Sequence, residues 1–153
     1  MVTTKVAPGT GLRIDQANAV VVQSDNKIVA VGQAPNPVGS PEDFALVRYN
    51  NDGTLDSSFN STGIVYTSFG TSFDVANAAA IQADGKIVVA GVTDLGGNFD
   101  FAVARYNVNG TLDTSFDTDG KVTTSVDSFN DVGSAMVIQP AKVIPKKMSA
   151  PMK

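Results

Sequence analysis

Residues 100–122 read DFAVARYNVNGTLDTSFDTDGKV, and residues 43–65 read DFALVRYNNDGTLDSSFNSTGIV. Placed one over the other at an offset of 57, the two stretches share 14 identities in 23 positions. Self-similarity at a fixed period is the signature of a repeat protein, in which one supersecondary unit buries its apolar face on a copy of itself. The chain is therefore built from at least two copies of one unit.

A second repeated stretch precedes the first in each copy. Residues 18–32 (NAVVVQSDNKIVAVG) return as residues 77–91 (NAAAIQADGKIVVAG), with 8 identities in 15 positions. An apolar run, a four-residue turn and another apolar run predict a β-hairpin, and the second runs are apolar on both faces, which indicates inner strands. The turns fall at residues 24–27 and 83–86, and the inner strands at 28–31 and 87–90.

Two further strands complete each unit. The third is expected at 43–50 and 100–107, and the fourth, after a Gly turn and a short TLD(S/T)SF segment, at 64–69 and 121–126. The third strand carries an arginine, Arg48 or Arg105, on the same face as Phe and Val, which predicts a buried guanidinium paired with a carboxylate. The candidate partners are Asp56/Asp113 and Asp43/Asp100.

Incomplete copies flank the two full units, which span roughly residues 16–70 and 76–127. Residues 3–15 match the end of a unit, and residues 131–140 match the first strand of a third copy. We therefore expect a repeat domain over residues 1–140, followed by an irregular, lysine-rich tail at 141–153 with at most a short edge strand at 142–144.

A repeat of four strands in 57 to 59 residues is typical of a β-propeller blade. The expected fold is therefore all-β, with two full propeller-like blades of four antiparallel strands plus partial ones. The motifs DGKIVVAG (84–91), DFAVARYN (100–107) and GTLDTSF (110–116) resemble the delta-sixty repeat family. The resemblance implies propeller-like arrays from large, mostly secreted or surface-attached bacterial proteins. One departure is that Asn60 and Asp117 stand where the family usually has Gly.

Composition excludes several kinds of chemistry. The 153 residues include no Cys and no His, so disulfides, Cys/His zinc sites, haem ligation and histidine-dependent nucleophilic catalysis are ruled out. A net charge of −4 with scattered cations argues against a nucleic-acid partner. No apolar run reaches the length of a membrane span, and the first fifteen residues lack the apolar core of a signal peptide. The location of the protein is left open by these features.

Oxygen ligands are the remaining route to a metal. The turns NNDGTLD and NVNGTLD place Asn and Asp at spacings of two, as the start of a calcium loop does, although the terminal Glu of such a loop is absent. Tight turns favour the same residues. The candidate calcium ligands are Asn50, Asp52 and Asp56 in the first copy and Asn107, Asn109 and Asp113 in the second. No other cofactor is expected.

Function is expected from the loops that differ between the copies, residues 34–42 and 93–99, where Glu42, Asp94 and Asn98 are candidate binding residues. The sequence favours a non-enzymatic binding or structural module with a protein or glycan ligand. A homo-oligomer is expected through blade faces and edge strands, because two blades cannot close a ring. A carboxylate-based, glycan-active enzyme using Glu42, Asp94 or Asp127 is the alternative.

Overall fold

The computed structural model describes residues 4, 6, 15–37, 41–126 and 129–139. These described residues form eight β-strands and one turn of 3₁₀ helix at Phe59–Ser61, which confirms the predicted all-β class. The strands are β1 (Gln16–Val22), β2 (Ile28–Ala34), β3 (Asp43–Tyr49), β4 (Ile64–Thr67), β5 (Asp74–Ile81), β6 (Ile87–Asp94), β7 (Phe99–Tyr106) and β8 (Lys121–Thr124).

The strands form two antiparallel sheets of four, ordered β1-β2-β3-β4 (the first sheet) and β5-β6-β7-β8 (the second sheet). Each sheet is a meander in which every strand pairs with its neighbour in the chain, as expected of a propeller-like blade. The hairpin turns lie where the sequence predicts them, and the apolar strands β2 and β6 are inner strands.

A β-bulge interrupts the first hairpin of each sheet at the same place, between Ala17 and Ala19 and between Ala76 and Ala78. The bulge brings the backbone of the first strand over the glycine that ends each VAVG or VVAG motif. A Cβ on Gly91 would lie 1.9 Å from the carbonyl oxygen of Val75. A Cβ on the equivalent Gly32 would lie 1.8 Å from the carbonyl oxygen of Gln16. Only glycine fits at this position, which explains its repetition in the sequence.

The hydrophobic core lies between the two sheets. We call the face of the first sheet that is turned to the second its back face, and the opposing face of the second sheet its front face. The back face contributes mostly large side chains and the front face several alanines, so that the two surfaces interlock. The core residues are Val29, Val31, Phe44, Leu46, Phe59 and Val65 from the first sheet, and Ala76, Ile87, Val89, Ala102, Ala104 and Tyr106 from the second.

Hydrogen bonds also cross between the sheets and fix how they are seated. The hydroxyl of Tyr106, which is fully buried, donates to Thr67 Oγ1 at 2.8 Å. The other bonds are Arg48 Nη1 to Val108 O (2.5 Å), Asn60 N to Asn109 O (2.8 Å), Asn18 Nδ2 to Ala76 O (2.9 Å) and Asp74 N to Glu42 O (2.9 Å). Because donors and acceptors come from both ends of the interface, the sheets have one defined arrangement.

The predicted first strand of a third copy is not a strand, because residues 131–139 form no ladder. The segment nevertheless repeats contacts of β5: Asp131 N donates to Phe99 O at 2.6 Å, and Asn77 Nδ2 donates to Gly133 O at 2.8 Å. In a complete blade this strand would pair with a β2-type strand, and no described residues supply one. The segment therefore occupies the position of a first strand without its ladder.

Other sequence-based boundaries change or lie outside the described residues. β4 and β8 end at Thr67 and Thr124, two residues before the predicted ends; after β4, Ser68 Oγ donates to Gly70 O at 2.6 Å and turns the chain. Of residues 3–15 only three are described, none in a strand. The predicted tail 141–153 and its edge strand 142–144 are outside the described part, and the division into domains stays a prediction.

The two residues that depart from the resembled family occupy a special backbone conformation. Asn60 has a φ of 48° and Asp117 a φ of 45°, in the left-handed region that glycine adopts most easily. Asn and Asp tolerate this region better than other non-glycine residues. The replacement therefore preserves the turn.

Truncating the equivalent phenylalanines should show that the core lies between the sheets. Phe44 is fully buried in the core, and its counterpart Phe101 is only half-buried on the opposite side of the second sheet. We expect Phe44→Ala to lower the free energy of unfolding by about 3–5 kcal/mol, and Phe101→Ala to lower it by clearly less. Urea denaturation followed by circular dichroism measures both, and equal losses would contradict the assignment of the core.

Candidate functional site

A cluster of opposite charges lies at the end of the third strand in each sheet. In the first sheet Asp56 Oδ2 accepts from Arg48 Nε at 2.7 Å and from Lys27 Nζ at 2.8 Å. Its other oxygen, Oδ1, accepts from the Ser58 backbone N–H and hydroxyl at 3.1 and 2.6 Å. The Arg48 guanidinium stacks 4.4 Å from the centre of the Phe59 ring. Of the two predicted partners for the arginine, the structure selects Asp56.

The second sheet repeats this cluster with nearly the same geometry. Asp113 Oδ2 accepts from Arg105 Nε at 2.6 Å and from Lys86 Nζ at 2.8 Å, and Asp113 Oδ1 accepts from Ser115 Oγ at 2.7 Å. The Arg105 guanidinium lies 4.7 Å from the centre of the Phe116 ring. A cluster present in both copies holds the unit together, and its charges serve the fold.

The two clusters differ in one respect, which is the contact with a following sheet. Arg48 Nη1 donates to Gln23 Oε1 and to the Val108 carbonyl of the second sheet, and the Arg48 side chain is 5% exposed. Arg105 has no further sheet beside it among the described residues, and its side chain is 20% exposed. Gln82 Oε1, the equivalent of the Gln23 oxygen, is buried and accepts no hydrogen bond from the described residues.

Both cluster carboxylates are strongly acidic. Hydrogen bonds from Lys27 and then Ser58 hold the pKa of Asp56 well below its usual range, more than offsetting the effect of burial. Lys86 and Ser115 do the same for the pKa of Asp113. Carboxyl groups held ionised in this way are poor proton donors near neutral pH, so this cluster is unsuited to general acid catalysis.

The candidate calcium ligands are turn residues whose oxygens have protein partners. Asp52 Oδ1 accepts from the Thr54 backbone N–H and hydroxyl at 2.9 and 2.7 Å, which lowers the pKa of Asp52, and Asn50 Nδ2 donates to Thr54 Oγ1 at 2.9 Å. The turn at Asn107 and Asn109 uses Thr111 in the same way.

Asp56 and Asp113 do not join the turn residues in a metal-binding group. Each is already neutralised by an arginine and a lysine. In the part of the chain that the structure describes, no group of three or more His, Cys, Asp or Glu side chains is arranged to hold a metal. Calcium binding stays a prediction.

The candidate loop residues lie at one end of the sheets, which we call the loop end. Glu42 and Asn98 immediately precede β3 and β7, whereas Asp94 is the last residue of β6 and so belongs to a strand, contrary to the predicted loop boundary. Asp94 Oδ1 accepts from the backbone N–H groups of Gly97 (2.7 Å) and Gly96 (3.1 Å), which lowers the pKa of Asp94. The carboxylate of Asp94 therefore shapes the turn that follows it. Asp127, the third candidate of the enzyme alternative, lies outside the described residues.

Two buried carboxyl groups at the loop end were not among the predicted binding or metal-ligating residues. Asp43 and Asp74 are fully buried, and the Oδ1 atom of each has no hydrogen-bond partner among the residues that the structure describes. Asp43 Oδ2 accepts from Asn36, and Asp74 Oδ2 accepts from the Phe69 N–H at 2.8 Å. Burial raises the pKa of Asp74, and the neighbouring charge of Asp43 adds to the effect. Recurrence at strand starts was the only sequence signal for this pair.

Exposed apolar side chains are the other feature of the loop end that sequence reasoning missed. Phe73 is 46% exposed, Leu95 48% and Phe129 74%. Phe73 and Leu95 lie next to each other, because Asp94 N donates to the Phe73 carbonyl at 2.9 Å. Phe129 precedes Asn130, whose Oδ1 accepts from the Phe99 N–H at 2.9 Å. Grouped exposed apolar side chains of this kind are typical of an interaction surface.

None of the described residues belong to a helix long and apolar enough to cross a membrane. An apolar cavity lies elsewhere, against the side of the first sheet that faces away from the core. It has a volume of about 140 Å³, with Val6, Ala30, Val47 and Tyr49 among its lining residues. No acidic pair suited to glycoside hydrolysis is brought together there.

Replacing the two arginines should separate the role of the cluster from the role of the contact between sheets. We expect Arg48→Met to destabilise the protein by about 3–5 kcal/mol, because it leaves Asp56 without its buried partner and removes the bond to Val108. Arg105→Met should cost less, because Arg105 is more exposed and, within the described part of the chain, bonds only to its own sheet. Urea denaturation compares the variants, and the reverse ranking would contradict this account.

The pH dependence of stability should have opposite signs at Asp56 and Asp74. The folded pKa of Asp56 is lowered, so its stabilisation is present above the unfolded pKa and is lost as the pH falls. The pKa of Asp74 is raised in the folded state. Asp74 therefore weakens the fold as the pH rises above 3.8, the ordinary pKa of an aspartate. The penalty of Asp56→Asn should therefore shrink from pH 7 to pH 3.

Over the same interval Asp74→Asn should change from more favourable to less favourable relative to the parent protein. Urea unfolding at several pH values measures both differences. Parallel pH profiles for the two variants would show that the carboxyl groups do not titrate as their surroundings require.

Comparison with known families agrees with this architecture. The family model described as "Domain of unknown function (DUF5122) beta-propeller" matches residues 23–59 and 82–116. No curated protein and no solved structure gives a significant match. The two matched segments begin at the equivalent residues Gln23 and Gln82 and end at the equivalent Phe59 and Phe116, so each covers the same part of one unit. The match supports a β-propeller repeat family for the two sheets.

Proposed function

We propose that the protein is a non-enzymatic interaction module that binds another protein through its loop end. The surface comprises the described residues of the loops at 34–42 and 93–99 and of the connections that follow β4 and β8; residues 38–40 and 127–128 lie outside the described part. The observation that carries the proposal is the exposure of Phe73, Leu95 and Phe129 at this end. Large apolar side chains that stay in water in the single chain are the kind of group that a protein partner buries.

The distribution of charge supports a binding role over a catalytic one. The recurring carboxylates Asp56 and Asp113 are used by ion pairs inside each sheet. Asp94 caps a turn through its backbone hydrogen bonds. What differs between the copies is the loop end, and the rigid sheets below it act as a scaffold, an arrangement that many binding proteins share.

A protein ligand fits the loop end better than a glycan does. Sugars are commonly held by Tyr or Trp, whose rings combine an apolar face with a polar tip. The chain has three Tyr and no Trp. Tyr106 is fully buried, and the hydroxyl of Tyr66 donates to the Val6 carbonyl. The exposed rings at the loop end are phenylalanines, which suit an apolar protein surface.

The finer family assignment belongs to the same proposal. The delta-sixty motifs, together with left-handed backbone at the two positions where that family usually has Gly, support delta-sixty repeats as the specific kind of β-propeller repeat. A bacterial source and a secreted or surface-attached location follow from this resemblance. Calcium stabilisation and carboxylate-based glycan hydrolysis are the alternatives, and no contact in the described residues favours either.

Removing one exposed side chain from the loop end should weaken binding without disturbing the fold. We expect Leu95→Ser to reduce capture of protein partners from an extract of the source organism by roughly tenfold, because it removes an apolar contact worth about 1–2 kcal/mol. Val108→Ser is the matched control, since Val108 is 47% exposed in a turn away from the loop end. Quantitative mass spectrometry of the captured proteins reads out both variants.

Partners that are retained by Val108→Ser and lost by Leu95→Ser support the proposal. The same set captured by both variants and the parent protein would contradict it. A glycan array probed with the parent protein distinguishes the remaining possibility, because saturable binding to glycans that Leu95→Ser does not affect would place the ligand in another class.

A further inference from the structure

Each sheet has two apolar faces, and only two of the four are used in the core between the sheets. The unused front face of the first sheet carries Val20, Val22, Val47 and Tyr49, which occupy the positions of Ala79, Ile81, Ala104 and Tyr106 in the second sheet. All four counterparts belong to the core or pack against it. In contrast, Val20 and Val22 are each 60% exposed.

The unused back face of the second sheet matches the core in the same way. Val88, Phe101, Val103 and Val122 occupy the positions of Val29, Phe44, Leu46 and Val65. The counterparts are 0–4% exposed, whereas these four are only partly buried. Side by side, the two unused faces reproduce the pair of surfaces that already pack together inside the chain.

The polar groups at the edge of the second sheet indicate what is missing. In the first sheet, Gln23 Oε1 and the Val108 carbonyl both accept from Arg48. In the second sheet, Gln82 Oε1 is buried without a hydrogen-bond partner among the described residues, and the hydrogen bonds of Arg105 there go to Asp113 and Ser115 of its own sheet. A buried, unpaired oxygen is costly, so this edge is unsatisfied as it stands.

A second copy of the chain carries the missing groups in the required positions. Asn51 of the first sheet is the equivalent of Val108, so its carbonyl is placed to accept from Arg105 of another copy. Tyr49 is likewise the equivalent of Tyr106, which donates to Thr67, and the counterpart of Thr67 on the second sheet is Thr124. The hydrogen bonds that seat the sheets can therefore be repeated between two chains.

In the single chain, short segments partly cover both unused faces. On the second sheet, residues 131–139 take the contacts of a first strand through Asp131, whose Oδ2 also accepts from Val126 N at 2.7 Å. On the first sheet, Val6 lies against the front face but leaves the cavity of about 140 Å³. Among the described residues, neither segment supplies a carbonyl at the position of Val108 or a tyrosine hydroxyl at the position of Tyr106, as a complete sheet would.

We propose that the back face of the second sheet binds the front face of the first sheet of a second copy, and that residues 131–139 are a competing internal cover of this site. The incoming chain replaces the contacts of Asp131 with those of Asp15, its equivalent at the start of the first sheet. It then adds the contacts of Asn51 and Tyr49, which the cover lacks. Binding and release of the cover are thus alternative states of one surface.

This association is head to tail, because the two faces that meet are different. It uses surfaces distinct from the loop end, so it goes beyond the proposed function and does not depend on it. The other candidate occupant, an unrelated protein, would have no reason to match Arg105, Gln82 and Thr124 together. The second copy matches all three by repetition of its own sequence.

Mass in solution tests the proposal with single substitutions in the full chain. We expect the parent protein to associate increasingly with concentration in sedimentation or light-scattering measurements. Val22→Lys should weaken association by roughly a hundredfold, because a lysine that is solvated in the single chain would be buried unpaired in the complex. Val108→Lys is the matched control, since Val108 is 47% exposed in a turn that belongs to neither unused face, and should leave association unchanged.

The internal cover has its own test. Asp131→Ala removes the bond to Val126 and should strengthen association by roughly tenfold, because the cover competes less well with the second copy. Circular dichroism of each variant verifies that the sheets remain folded. A parent protein and an Asp131→Ala variant that both stay monomeric up to millimolar concentration would overturn the proposal.

Mixing two variants that each fail to self-associate tests whether the contact is head to tail. Val88→Glu places a charge on the back face of the second sheet, as Val22→Lys does on the front face of the first. Each variant alone should be monomeric, and their equimolar mixture should form dimers, because each chain retains one intact face. A mixture that stays monomeric, or association of Val22→Lys alone at the parent affinity, would show that this pair of faces is not the contact.

Discussion

The structure depends on the packing of large side chains from one sheet into a surface of alanines on the next. Phe44 and Leu46 lie on the back face of the first sheet, and Ala102 and Ala104 of the second sheet belong to the same core cluster. A meander of four strands has no interior of its own, so its apolar residues leave water only when another sheet covers them. The stability of the fold, the difference between the front and back faces, and the unsatisfied edge of the second sheet all follow from this requirement.

The charged clusters serve that requirement. A guanidinium that stacks on Phe59 and bonds to Asp56 closes the end of the core, and its remaining N–H groups reach the next sheet. The guanidinium of Arg48 thus stabilises its own sheet and also bonds to the next one. Because Arg105 lacks the second role, the two copies of one motif differ in energy although they are alike in sequence.

Much of the fold was predictable because the repeat compares the chain with itself. The strands and hairpin turns follow from apolar runs and turn residues that occur twice, and the inner position of β2 and β6 follows from runs that are apolar on both faces. The arginine partner remained open, since both Asp43 and Asp56 lie close to Arg48 in sequence, and only the folded chain places Asp43 at the opposite end of β3. Residues 131–139 carry the pattern of a strand, but a strand also needs a neighbour to pair with.

The candidate site was less predictable for a physical reason. The exposed Phe73, Leu95 and Phe129 lie in connections outside the repeated strand patterns, so no periodicity distinguishes them from residues of the core. The calcium-like spacing in the Gly turns was ambiguous from the start, because Asn and Asp favour such turns for their own hydrogen bonds. In both cases function and local geometry use the same residue types.

The change of period from 59 to 57 residues has a consequence for how such chains diversify. β2 and β6 lie 59 residues apart and β3 and β7 lie 57 apart, so the whole difference in length falls in the β2–β3 and β6–β7 connections. The strands on either side keep the same pairing in both sheets, with Gly32 opposite Ala45 and Gly91 opposite Ala102. Insertions and deletions in the β2–β3 and β6–β7 connections leave the strand pairing unchanged. These connections are therefore suitable places for grafting foreign peptides.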